Sequence, residues 1–341
     1  MPEPQTPLSA SRIKTAQSCS WLYWCKYKLK LPDKSNDGAR RGSICHLVFE
    51  VLGVKGRKKY YNKIIKTQDV FSIPSLKRLI LKHAAKEGID DAENVEFMKE
   101  MIFNGLSYDF FGLDLGKPTE EYSEKDFAII KDDGDIKYKI RGFIDKPAVY
   151  DKTKIVKIID YKSSKNKFSK KELSSSMQGM AYSLAAKKEW PDYKPIVEFL
   201  FLRFPRSPSQ TVEFSDEDLE GFEYYLEHCF SIINNYTEEV AVSRFAADYN
   251  EDKWMCKIGS WKCPYLEPYN YYSLIGEDGE VISKSLKEDF DVKEGQKVEV
   301  GKYNGCPRHF TQREPRLTNS SDPFSDIASK EEPAFKDPFS F

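Results

Sequence analysis

Two apolar runs, each closed by ionisable groups, constrain this chain more than any other stretch. The first ends in Ile140-Arg141-Gly142-Phe143-Ile144-Asp145, and the second reads Ile158-Ile159-Asp160-Tyr161-Lys162. Residues 139–149 read as one strand and residues 154–161 as the next, with the polar turn Tyr150-Asp151-Lys152-Thr153 between them. Paired as a hairpin, they bring Asp145 and Asp160 to one end of a sheet, on the same side. Two carboxylates that close repel, so a divalent cation is needed to neutralise them. Oxygen ligands with open positions suit magnesium or manganese. Lys162 lies two residues beyond Asp160, and the two-residue period of a strand returns it to the same face. Its ammonium could orient a water or offset charge on a phosphate.

The rest of the composition narrows the setting. A chain of 341 residues can bury a substantial core. Its formal charge of −1 excludes a global basic field, so any polyanion must be met by local patches. The 20 Tyr and 22 Phe can stack on unpaired bases or simply fill a core. No run approaches the ~18 consecutive apolar residues of a membrane span, and the N-terminus lacks a secretory pattern. An intracellular, cytoplasmic protein is expected. Its seven cysteines then read as thiols or metal ligands, not as a disulfide framework.

The words Gly142-Phe143-Ile144-Asp145 and Asp160-Tyr161-Lys162-Ser163-Ser164 resemble the paired "GxIDR … DYKTG" blocks of RecB-type nucleases, within the PD-(D/E)XK superfamily. Other blocks match the same family in order. Ser9, Ser11, Cys25 and Tyr27 stand loosely where it opens its domain, on a helix expected from Ser9 towards Tyr27. Gly42 and His46 match its G-x-x-x-H, which implies a metal ligand or phosphate contact at His46; a helical histidine packed near the core is the plain alternative. An acid at the start of the strand before the hairpin is also implied, with Glu121 chosen over Glu120 and Glu124. Gln178-Gly179-Met180-Ala181-Tyr182 matches Q-x-x-x-Y on a helix expected over residues 169–188. There Gln178 would position a phosphate or the attacking water, and Tyr182 would steady Lys162 or the phosphate, unless both belong to a polar helical stripe.

The resemblance implies an α/β fold: a mixed central sheet flanked by helices, a restriction-endonuclease-like core. It implies a DNA exonuclease of recombination, repair or replication, with magnesium or manganese held by His46, Asp145, Asp160 and the carbonyl of Tyr161. A non-catalytic nucleic-acid-binding or assembly module is the competing expectation. Some members carry a four-iron, four-sulfur cluster on one cysteine before the core and three after it, which Cys25, Cys256, Cys263 and Cys306 could supply. The family's last three cysteines lie closer together than Cys263 and Cys306, Cys19 could replace Cys25, and zinc or unligated thiols are alternatives.

Domain limits follow from composition. Residues 1–8 are expected to be disordered and 9–310 to form the domain. Residues 53–118 read as a helical insertion, and 245–310 as a cysteine-bearing part interrupted by β-like runs over 265–302. Residues 311–341 repeat an acidic-Pro-Phe theme and are expected to form a disordered tail. The theme resembles the partner-docking tails of single-strand DNA-binding proteins, with a merely solubilising role as the alternative; separately, a helicase or a single-strand DNA-binding protein is the partner class expected.

Overall fold

A computed structural model describes residues 5–33, 36–54, 56–134, 136–243, 256–258 and 261–307. The N-terminal part is helical: α1 (Ala10–Ser18), α2 (Ser20–Tyr23), a π-helical turn (Trp24–Lys28), α3 (Asp37–Gly53), α4 (Lys58–Thr67), α5 (Pro74–Glu87) and α6 (Ala92–Ser107). Next come β1 (Glu120–Glu121), β2 (Lys125–Asp133), β3 (Ile136–Ile144), β4 (Lys146–Tyr150), β5 (Ile155–Lys162), α7 (Lys170–Ser174), α8 (Met177–Glu189), β6 (Lys194–Phe201), β7 (Ser209–Val212), α9 (Asp216–Asn234) and α10 (Glu238–Ser243). The last described elements are the short strands β8 (Lys257–Ile258) and β9 (Trp261–Lys262) and the longer β10 (Tyr269–Ile275), β11 (Val281–Ser285) and β12 (Lys297–Tyr303).

The central sheet is mixed, in the order β1-β4-β5-β6-β7. Only β5 and β6 run parallel, joined by α7 and α8; the other neighbours are antiparallel. Strand β5 is buried nearly throughout because both of its faces are covered. Val156 and Ile158 point into a core with α1, α8 and α9. Ile159 and Tyr161 point into a second core with α3 to α6. The helices within 53–118 are therefore one covering layer of the sheet, sharing its hydrophobic interior.

Three expectations are corrected. The run from 139 to 149 is not one strand. It breaks at Asp145, and β3 pairs with β2 while β4 pairs with β5. The physical reason is local: Asp145 Oδ2 accepts the Tyr161 amide at 2.8 Å, just past the last strand pair, and Asp145 O accepts from Glu124 N at 2.7 Å. The helices over 9–27 and 169–188 are both interrupted, at Cys19 and at Ser175–Ser176, where a new cap starts the next helix. Finally, residues 6–8 are docked. Leu8 is fully buried and bonds to β3 through Lys139 O and Arg141 N, and Thr6 N donates to Asn234 at 2.7 Å.

Strands β10 to β12 form a separate antiparallel sheet, with turns at Gly279 and Gly295, both at positive φ. The tail over 311–341 lies outside the described residues, as do residues 245–255 of the cysteine-bearing part.

Candidate active site

The carboxyl end of β5 gathers the predicted side chains between α3 and α8. Lys146 pairs with Ile159, so the register continues to place Asp145 beside Asp160. Asp160 is 2 % exposed. Its Oδ1 accepts from Gln178 Nε2 at 2.8 Å and from the Tyr182 hydroxyl at 2.9 Å. Its Oδ2 lies 2.6 Å from Lys162 Nζ, yet this buried oxygen has no well-formed hydrogen bond. Lys162 Nζ donates in turn to Gln178 Oε1 at 2.6 Å. Gln178 thus holds the Lys162 ammonium and the Asp160 carboxylate together with one amide. It can do so because Ser176 caps α8 and starts the helix beside the strand end. Tyr182 is buried against Asp160 and does not bond to Lys162.

From the opposite side, His46 Nδ1 lies 3.1 Å from Asp145 Oδ1. Burial opposes charge on the imidazole, but Asp145, with Asp160 behind it, outweighs burial and holds the histidine above its ordinary pKa. Burial raises the Asp160 pKa; Lys162 opposes this and Asp145 adds to it. His46 lies inside α3, not ahead of it. Gly42, one turn earlier, allows α3 to approach the strand end: a Cβ there would sit 2.6 Å from Ser163 Oγ.

A cleft of about 480 Å³ opens at this point, lined among others by Gly42, His46, Glu50, Glu124, Asp145 and Ser163. Glu124 is one of the two alternatives to Glu121 that the sequence offered, and Glu50 is an acid it did not single out. Burial and then the charge of Glu50 raise the Glu124 pKa. Glu50 follows His46 by four residues on the same helical face, a spacing that could have found it. Glu121 is not brought to the cleft. It pairs with the buried ammonium of Lys146 at 2.8 Å.

The oxygen donors of Asp145 and Asp160, one of them orphaned, with Tyr161 O and the His46 imidazole, fit a hard divalent cation in chemistry. Among the described residues no three acidic, histidine or cysteine side chains already stand in a ligating arrangement. Instead His46 pairs with Asp145, while Lys162 and Gln178 pair with Asp160.

Cysteines from both ends of the chain meet elsewhere. Cys25 is buried in a cluster with Trp21, Tyr265 and Tyr303, against which Cys19, Cys263 and Cys306 pack. Cys256 is close enough to Cys263 to influence it. Burial pushes the Cys25 and Cys263 thiols up to about 12, so both are protonated as they stand. This gathering is not a preformed four-cysteine cage.

A family model described as the PD-(D/E)XK nuclease superfamily matches residues 7–267. No curated protein matches the chain.

Proposed function

The chain belongs to the PD-(D/E)XK nuclease superfamily, and from that premise we propose that it is a magnesium- or manganese-dependent deoxyribonuclease of the RecB-like branch, acting as an exonuclease in recombination, repair or replication. The observation that carries this reading is the convergence of Asp145, Asp160 and Lys162 at one strand end that opens on a cleft.

Asp145, Asp160, His46 and the Tyr161 carbonyl would hold the ion. When bound, it lowers the pKa of a water and offsets charge on the phosphoryl oxygens. Lys162 orients that water or takes its proton, and its position two residues from Asp160 keeps it on the ligand side of β5. Gln178 fixes the Lys162 ammonium and the Asp160 carboxylate relative to each other. Tyr182 holds Asp160 from within the core.

The test is digestion of end-labelled single- and double-stranded DNA with magnesium, manganese or chelator. The wild-type chain should release products only with metal. Asp160→Ala and Lys162→Ala should lose at least about a thousandfold in rate while keeping a folded circular-dichroism spectrum. Full activity in either variant refutes the assignment. A wild-type chain that binds DNA without cutting it supports the non-catalytic module instead.

The meeting of the cysteines favours a second occupant. On this reading Cys25, Cys256, Cys263 and Cys306 rearrange around a four-iron, four-sulfur cluster, with zinc as the competitor. Anaerobic purification followed by iron and zinc analysis decides. A broad visible absorption with bound iron supports the cluster, a colourless zinc-loaded sample rejects it, and a metal-free sample rejects both.

A further inference from the structure

Near the end of β5, two guanidiniums share one aromatic ring. Arg41 precedes Gly42 on α3, and its Cζ lies 5.0 Å from the centre of the Phe97 ring on α6. Arg203, two residues past the end of β6, places its Cζ 4.3 Å from the same centre. Like charges on one ring repel, yet neither arginine has an acidic partner among the described residues. Arg41 donates to the neutral side-chain oxygen of Asn94, and its Nε is buried with no hydrogen bond. Burial, and then the charge of Arg41, lower the Arg203 pKa. Unbalanced positive charge in a partly desolvated setting is completed by an anion.

The position says which anion. Leu202 N donates to Lys162 O at 2.9 Å, so Arg203 is the next residue beyond the strand pair that carries the candidate base. Gly42, beside Arg41, lines the cleft and abuts Ser163, the residue after Lys162. Arg41 is thus the chain neighbour of a cleft residue, and Arg203 the chain neighbour of the residue bonded to Lys162 at the end of β5. Planar guanidiniums match phosphate oxygens in pairs, and stacking on a ring fixes their planes.

We propose that Arg41 and Arg203, braced on Phe97, clamp a non-scissile backbone phosphate of the nucleic-acid strand whose neighbouring bond enters the acidic cleft. The inference rests on the nuclease reading and deepens it. The clamp reads no base; it sets the register in which the strand lies across Asp145 and Asp160.

The test uses the full chain and a labelled single-stranded oligonucleotide, with binding in chelator and cleavage with magnesium. Arg203→Gln should raise Kd and KM about tenfold with kcat nearly unchanged, and lower the slope of log affinity against log salt by about one. Arg203→Lys should recover part of the loss, because charge returns without the fork. Lys194→Gln, a charge at the opposite end of β6 paired with Glu213, should change nothing. A scan of single methylphosphonate linkages should find one internal position that weakens the wild type but not Arg203→Gln. If Arg41→Gln fails to fold, Arg203, in the loop after β6, still carries the test.

Wild-type KM, salt slope and methylphosphonate sensitivity in Arg203→Gln would overturn the clamp while leaving the nuclease reading intact. Sensitivity only to a 5′-terminal phosphate would overturn it too. A wild-type chain that cuts nothing, but whose binding still depends on Arg203 and on one internal phosphate, would sink the nuclease reading and keep the clamp.

Discussion

Asp160 is held by three neighbours that do different work, and substitutions separate them. Gln178→Ala removes the amide that fixes the Lys162 ammonium and the Asp160 carboxylate relative to each other, and kcat should fall about 10–100-fold, as for other supports of a site's primary residues. Tyr182→Phe removes one buried hydrogen bond, so urea denaturation should show a loss of about 1 kcal/mol beside a smaller rate defect. The glutamates make a sharper contrast. Glu121→Gln strands the buried Lys146 ammonium and should destabilise by about 2–3 kcal/mol, with activity per folded molecule unchanged. Glu124→Gln relieves repulsion from Glu50; thermal stability should hold or rise, while activity with magnesium drops. An equal activity loss in both variants would show that the cleft extends to Glu121. At this scale the sequence was legible where chemistry followed strand period. Lys162 returns to the face of Asp160 by simple alternation. Glu50 and Glu124 were not legible as a pair, because their approach depends on the segment before β2 folding onto α3, where Ser123 bonds Glu50 O.

Elements were legible where caps and periodicity agreed. Helices α5 and α6 fall within residues 53–118, read as helical, and Ser169 opens α7 with a capping box at the start of the helix expected over 169–188. Breaks were harder to read. No propensity marks Asp145 as a strand end; a side chain taking the Tyr161 amide makes it one. Helix α6, which carries Phe97, offers a pH test. Asp91 caps it, accepting from Asn94 N and Asn94 Nδ2, and these bonds, the side-chain one first, lower its pKa from 3.8. A carboxylate depressed in the fold contributes stability above its unfolded pKa and loses it as pH falls through the folded value. The melting-temperature gap between wild type and Asp91→Ala should therefore be full at neutral pH and close below about pH 4. A gap independent of pH would assign the effect to packing.

Across the whole molecule, segments far apart in the sequence are tied at one tyrosine. The Tyr303 hydroxyl on β12 donates to Tyr265 O at 2.8 Å and accepts from Trp21 Nε1 at 2.8 Å. Tyr303→Phe leaves a buried indole N–H unpaired and should destabilise by about 1–3 kcal/mol in denaturant melts. The closing sheet lies beyond the matched residues, which end at 267. Its strands were legible as short runs between glycine turns, but its docking against α2 was not, since that contact spans nearly the full sequence. Among the described residues no helix is long and apolar enough to cross a membrane.

The break between β3 and β4 has a mechanical side. The β2–β3 hairpin and the central sheet share no strand, and Asp145 is the single residue that joins β3 to β4. The hairpin's exposed Arg141 and Phe143 stand away from the core, while Tyr138, Ile140 and Ile144 pack into it, so the carboxylate at the junction is held both by its main-chain link and by the packing behind β3.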